Sequence, residues 1–441
     1  MGQAKRAWQT LILGALLLAP PAFAEEPDSR EIARDDEIAE LKRQLGVVVN
    51  ELETLRTQVA APEIPAELES QKGLGPAASK VYGIARGVSL GGYAEGVYRQ
   101  SHFDVDGGNQ DVVDLTRATL YVGYKYNDWI VWNSEIEFEH ATTEKNGSVN
   151  VEFATLDFLL APEFNLRMGE VLLPMGITNE VHEPPFYYGT RRPVAETQII
   201  PSTWSEYGLG FFGGLGERTR YAFYVVDGLD ALGYESSGIR EGRQGSSEAL
   251  ANDLAVVAAL EFDVLQGWVV GGSYYVGGAG QSQSVALVTG DVGVPSTRTA
   301  IWELHTKYQY RGLSARALWT QAHISDAGSL SELLLLSGAE LPVIASQMIG
   351  GYAEVAYDVM PVFFPGSEMS LEPFFRFEYV DTQNDVPNGF LADRAFKQRI
   401  YVPGIQFKPI QNVVLKLDYR KVDNFADTDG DEVSLGFGLV F

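Results

Sequence analysis

The 441 residues carry 33 basic and 59 acidic side chains, a formal net charge of -26, and no cysteine. That balance argues against a nucleic-acid partner, because like charges repel at long range, and the missing thiols exclude disulfides and thiolate metal sites. A hydrophobic content of 45% with a mean hydropathy of -0.06 is too polar for a bundle of membrane helices; the length suits roughly two or three ordinary domains, or one large barrel.

The chain opens with Lys5 and Arg6, the apolar run "LILGALLLA" (11–19) and the small-residue site "AFA" (22–24). This is the pattern of a cleaved export leader over 1–24, and the apolar run is far below the ~18 residues that span a bilayer. Its removal leaves 31 basic residues against 59 acidic ones. Over 25–61, Ile38, Leu41, Leu45, Val48, Leu52, Leu55 and Val59 recur at spacings of three and four, a heptad seam. Glu37 with Lys42, and Glu51 with Arg56, fall where they can pair between chains. The expectation is a short periplasmic coiled coil, which needs a tethered partner domain because so few heptads are marginal alone. An amphipathic helix lying on its own domain is the competing reading. Pro62, Pro65, Gly73, Gly75 and Pro76 mark 62–87 as a linker.

From residue 88 the helical period gives way to alternation. About sixteen strands are expected, near 88–99, 113–126, 129–142, 149–161, 163–174, 206–215, 218–228, 253–264, 267–278, 298–310, 312–324, 346–359, 368–380, 396–408, 412–423 and 431–441. Tight connections such as "NDW" (127–129) and "PIQN" (409–412) alternate with long polar ones: 100–112, 143–148, 175–205, 229–252, 279–297, 325–345, 381–395 and 424–430. Short turns at one rim and long loops at the other are the rhythm of an antiparallel up-and-down barrel. The fold class is therefore all-β, a transmembrane barrel over 88–441 preceded by a short coiled-coil helix.

Each strand has one apolar face and one charged face. Ile130, Trp132, Ile136 and Phe138 oppose Asn133, Glu135, Glu137 and Glu139; Leu415, Leu417 and Tyr419 oppose Lys416, Asp418 and Arg420. Ionised groups cannot be packed dry, so the charged faces line water and the apolar faces meet lipid. Tyr and Trp cluster at strand ends, as at Trp129, Trp268, Tyr310 and Tyr419, where an interfacial girdle belongs.

The closing strand "DEVSLGFGLVF" alternates Phe437, Leu439 and a final Phe441 with small residues. It resembles the terminal signal of Gram-negative outer-membrane proteins, which implies recognition by their barrel-assembly machinery. The stretch "LLPMGITNEVHEPPFYYGTRRPVAETQIIPSTWSEYGLGFFG" (172–213), after "LRMGEV", resembles the phosphate-selective porin O/P superfamily, as does the layout of leader, coiled coil, linker and sixteen strands. The resemblance is loose over 85–441 and most specific over 163–213. It implies an outer-membrane homotrimer whose loop 175–205 folds inward to narrow each pore.

That loop is rich in proline, aromatic and charged residues, with Glu180, His182, Glu183, Arg191, Arg192 and Glu196 as constriction candidates. The alternative places it outside, at trimer contacts. Inward parity adds Arg117, Glu135, Glu137, Glu139, Arg167, Arg220, Arg316, Arg376 and Arg420 as pore-lining candidates. A phosphate trap would need clustered cations, yet no lysine lies between Lys145 and Lys307. With acidic outer loops added, the expectation is a weakly cation-preferring or unselective pore.

No H-E-x-x-H or G-x-S-x-G occurs, and "DTDGDE" (427–432) lacks calcium-loop spacing. Neither catalysis, a metal nor a cofactor is therefore expected. The leading function is a water-filled porin for passive diffusion of ions and small hydrophilic solutes. A substrate-specific channel for phosphate or another anion stays open. So does an envelope-tethering barrel whose coiled coil engages peptidoglycan. Lipid bilayer and lipopolysaccharide are the expected surroundings.

Overall fold

Two residues of alternation per period leave a strand with two chemically distinct faces, and a sheet of such strands with no helical cover must close or expose long edges. It closes. The computed structural model describes residue 38 and residues 40–48, 68–103, 110–141, 147–339, 342–428 and 430–441. The leader expected at 1–24 and the heptad positions Leu52, Leu55 and Val59 lie outside the described residues. The chain divides into two units, Met1–Ala60 and Ala61–Phe441. In the first, residues 40–48 are helical, the exposed Leu41, Leu45 and Val48 share the apolar seam, and Arg43 pairs with Glu40 at 2.8 Å.

In the second unit the strands are β1 (Gly87–Phe103), β2 (Gln110–Asn127), β3 (Ile130–Glu139), β4 (Val149–Ala161), β5 (Phe164–Leu172), β6 (Ser205–Leu215), β7 (Thr219–Asp227), β8 (Leu254–Leu265) and β9 (Trp268–Gly277). A small hairpin, β10 (Ser284–Leu287) with β11 (Gly290–Gly293), stands apart. There follow β12 (Thr299–Tyr310), β13 (Leu313–Ile324), β14 (Gln347–Tyr357), β15 (Ser370–Asp385), β16 (Lys397–Ile410), β17 (Val413–Asn424) and β18 (Gly430–Val440). Every barrel strand pairs antiparallel with its chain neighbour, β9 passing to β12, and β18 returns to β1 to close sixteen strands. Tight turns sit at one end only. At two of them the chain needs a left-handed residue, and Gly267 and Gly312, both at φ 79°, supply it.

The faces divide as the alternation requires. Leu304, Phe375, Leu415, Leu417 and Phe437 stand exposed on the outer surface, while Glu135, Glu137, Glu303, Arg376, Glu378 and Lys416 are buried within. At the closing seam the rings of Phe437 and Phe441 lie over Gly96 and Gly92 of β1, covering the two outward positions that lack side chains. Phe441 also exchanges backbone hydrogen bonds with Gly92, at 2.9 and 3.0 Å.

Helix content differs from the sequence reading chiefly in two places, besides a single turn at Met360–Phe363. Residues Pro76–Gly83 form a helix, α1, within the stretch read as a linker, and Ala327–Leu336 form α2 within a long connection. The prolines and glycines that marked a linker end at Pro76, and the small residues Ala77, Ala78 and Ser79 that follow, all buried, let α1 lie close against the inner wall. Val81 sits over Gly123, and Asn133 donates to the Ala78 carbonyl at 2.8 Å.

Candidate site: the inward loop and the cavities beside it

The connection between β5 and β6 begins at a neck built by one asparagine. Asn179 Nδ2 donates to the carbonyls of Leu173 and Trp204 at 2.6 and 3.0 Å, and its Oδ1 accepts the Trp204 N–H at 2.6 Å. Glu196 ties the two limbs to the wall. Its carboxylate accepts the N–H groups of Ile177 and Thr178, both at 2.7 Å, and the Tyr352 hydroxyl at 2.6 Å. A buried carboxylate with three donors is satisfied rather than available, although burial still raises its pKa.

Residues Tyr187–Arg191 are pinned to β15 and β17 by two buried cations. Lys416 Nζ donates to the carbonyls of Tyr187 and Gly189 at 3.0 and 2.8 Å. Arg376 donates to those of Tyr188 and Arg191, both at 2.9 Å, and is held in turn by Glu378 at 2.8 Å. Asp418 accepts the Thr190 N–H at 2.8 Å, and Glu378 accepts that of Val194 at 2.6 Å. The inner face of β18 makes room for this segment: a Cβ on Gly438 would overlap Pro184, and one on Gly436 would press on Thr190. The Tyr187 hydroxyl crosses to β1 and donates to Glu95.

The loop also buttresses α1. Glu183 accepts the N–H groups of Ala77 and Ala78 at 3.0 and 3.4 Å, capping the helix. Burial, reinforced by Glu135, pushes the Glu183 carboxyl up to about 8 against those two bonds. Burial and the Arg192 cation lower His182 to about 3, so its ring is neutral, with Nε2 3.2 Å from Glu135 and Nδ1 2.8 Å from the Asn179 carbonyl. Glu180, raised by burial to about 7, faces the short-turn side.

The remaining candidates separate into groups. Arg117 bridges Glu95 and Glu137, both at 3.1 Å. Arg167 is spent on Asp157 at 2.8 Å and on the carbonyl of Lys72. Arg220 pairs with Asp263 and Glu261 near the short-turn mouth, and Arg316 reaches Glu354 at 3.8 Å with its guanidinium over the Tyr188 ring. Glu139 lies toward the long-loop end, bonded to Ser148. Arg420 has no acidic partner among the described residues. Sequence reasoning missed Arg99 and Arg240 beside the loop. Arg99 shared the inward parity of Glu95, four residues before it; Arg240, in a connection without periodicity, gave no signal.

One half of the bore is filled. Leu173, Ile199, Ile200 and Trp204 of the loop pack with Leu229, Tyr234 and Ile239 of the 228–253 connection. Leu330 of α2 and the inward Val257, Tyr275 and Ile301 complete a continuous apolar core. More than one connection therefore enters the barrel. On the other side, beside β1, β2 and β15–β17, a cavity of about 450 Å³ opens toward the long loops. Two cavities of about 440 and 360 Å³ lie toward the short turns, and Tyr187 borders both the first cavity and the third.

The chain is 35% identical over 388 residues to an uncharacterised protein of Aquifex aeolicus (strain VF5), covering 86% of this chain and 84% of that one. It belongs to that protein's family. No family model matches it. The fold is that of the outer-membrane porins. The Salmonella typhi OmpF complex with daunomycin superposes with a TM-score of 0.52 at 14% identity, over 80% of this chain and 97% of that one. The outer membrane channel DcaP of Acinetobacter baumannii gives 0.51 at 13%, over 81% and 98%. An anion-selective porin from Comamonas acidovorans gives 0.50 at 11%, over 81% and 100%.

Proposed function

We propose that this protein is an outer-membrane porin, a channel for passive diffusion of ions and small hydrophilic solutes, with the β5–β6 loop as its constriction. The observation that carries this is the pairing of an apolar exterior with a charged interior in which the pinned segment Tyr187–Arg191 stands between cavities on either side. Solutes pass beside β1 and β2, past Tyr187, because the opposite half of the bore is packed with apolar side chains. Cleavage of 1–24, a coiled coil over 25–61, a homotrimer, insertion by the barrel-assembly machinery and contact with lipopolysaccharide belong to the same reading. So does membership of the porin O/P superfamily, which the stretch 163–213 supports.

The test is reconstitution of the chain from Glu25 onward in planar bilayers. A porin gives stepwise, ohmic currents that Tyr187→Ala enlarges. A correctly folded barrel that conducts nothing, or whose conductance ignores that substitution, counts against the proposal. Deleting 25–61 should leave conduction intact, whereas a protein whose role is tethering to peptidoglycan would lose that role.

A further inference from the structure

The cavity on the long-loop side is lined, among the described residues, by six arginines, Arg99, Arg117, Arg191, Arg192, Arg240 and Arg420, and by one carboxylate, Glu95. They arrive from β1, β2, β17, the constriction loop and the 228–253 connection, so only the tertiary fold brings them together. Arg117 is neutralised by Glu95 and Glu137, and Arg191 by Glu432 at 2.7 Å. The other four make no ion pair among the described residues. The nearby acids are committed elsewhere: Glu378 to Arg376, and Asp114 to His140 at 2.9 Å. Arg99 Nε, Arg192 Nε and Arg240 Nη1 are buried without a hydrogen-bond partner among the described residues, and Arg192 is only 9% exposed. Buried guanidinium nitrogens left unpaired are costly. The side chains that carry them converge with Arg420 on one cavity, and four guanidinium groups without an ion pair around one space are the signature of a place that an anion completes.

The rest of the lining narrows the class of anion. Hydroxyl and amide side chains predominate, among them Thr197, Gln198, Ser202, Ser237, Thr382 and Gln398, against a short apolar stretch at Val194, Val380 and Phe396. Ser202 Oγ is itself buried and has no hydrogen-bond partner among the described residues. A volume of about 450 Å³ lies in the range of sites for organic ligands of moderate size, about 300–1,000 Å³. Guanidinium forks match the oxygens of a phosphate group, and hydroxyl and amide groups match hydroxyls. We propose that this cavity binds a hydroxylated organic anion bearing a doubly charged group, the chemistry of a sugar phosphate, in preference to inorganic phosphate or a neutral sugar. The inference rests on the porin reading for its meaning as a station on the solute path. It departs from the weak cation preference expected from the acidic loops, because the loops set a distant, screened field and the arginines stand at the passage itself.

Isothermal titration of the detergent-solubilised chain with glucose 6-phosphate, inorganic phosphate, glucose and succinate reads the site without requiring conduction. Glucose 6-phosphate should bind at least tenfold more tightly than each of the others. The Arg192→Gln/Arg420→Gln double variant should lose at least tenfold of that affinity. Its folding is checked by the heat-induced change in electrophoretic mobility typical of barrels, and Ser202→Ala, a smaller change, should weaken the sugar phosphate while sparing phosphate. Equal affinity for inorganic phosphate or for succinate, tight binding of glucose, or no binding at all overturns the proposal. In parallel, glucose 6-phosphate should reduce the KCl current in bilayers. Binding without any current would sink the porin reading while leaving the site standing, and current without binding would do the reverse.

Discussion

Replacing Arg376 with methionine removes the strongest single anchor of the constriction. The guanidinium is 1% exposed, donates to the carbonyls of Tyr188 and Arg191 at 2.9 Å each, and sits 2.8 Å from Glu378. Hydrogen bonds from a charged group contribute about 1.5–3 kcal/mol apiece, and stripping one partner from a buried pair costs about 3–5 kcal/mol. Roughly 3–5 kcal/mol of docking is therefore at stake, which raises the undocked population by about 100- to 4,000-fold at 1.4 kcal/mol per decade. Lys416 still holds the carbonyls of Tyr187 and Gly189, so the segment should fray rather than leave. Single-channel records should show rapid open-state noise for Arg376→Met, and a permanently larger conductance once Lys416→Met is added. Trypsin should begin to cut at the Arg191–Arg192 bond. A folded Arg376→Met protein with the parent's noise, conductance and trypsin resistance would refute the anchoring argument.

Gly438→Leu places a side chain where Pro184 lies, so the loop must shift; conductance should change while the barrel still migrates as folded. Glu183, pushed up to about 8 by burial, holds a proton in the folded state that the unfolded chain releases near 4.3. Stability from this group is thus lost as pH rises between those values. Glu180, at about 7, slopes the same way. The melting temperature in detergent should fall from pH 6 to pH 9, and Glu183→Gln should flatten that fall; an unchanged slope would contradict the assignment. Leu417→Arg puts a charge on the outer face, where lipid contact costs about 2–4 kcal/mol near the midplane, and should cut the folding free energy into vesicles by that amount. Phe441→Ala uncovers Gly92 and should slow insertion, measured as the rate at which the heat-modifiable band appears.

The strands were legible because lipid outside and water inside force a strict two-residue period. The expected strand at 206–215 is observed at Ser205–Leu215, and that at 149–161 at Val149–Ala161. Ends were less legible where pairing runs on beyond the expected boundary, as in β15, expected to stop at 380 but continuing to Asp385. The constriction loop could be singled out by its prolines and aromatics, but its anchors could not. Lys416 and Arg376 read only as inward cations, and the carbonyls they bind lie some 190 to 230 positions away in the chain. The apolar filling escaped for the same reason: Ile239 and Leu330 lie in connections that read as polar, and only the barrel gathers them into one core with Tyr275. Arg240 is known only from the fold.

A cylinder with lipid outside, water along one inner wall and a packed interior along the other leaves each surface a different exposure. Because the chain has no cysteine, spin labels on single introduced cysteines can map this directly in vesicles. Labels at Phe377 and Leu417 should collide with oxygen and not with a water-soluble nickel chelate. Labels at Thr382 and Gln398 should show the reverse, and labels at Val257 and Ala322 should meet neither. Equal exposure of Leu417 and Gln398 to the chelate, or chelate access at Val257, would contradict it.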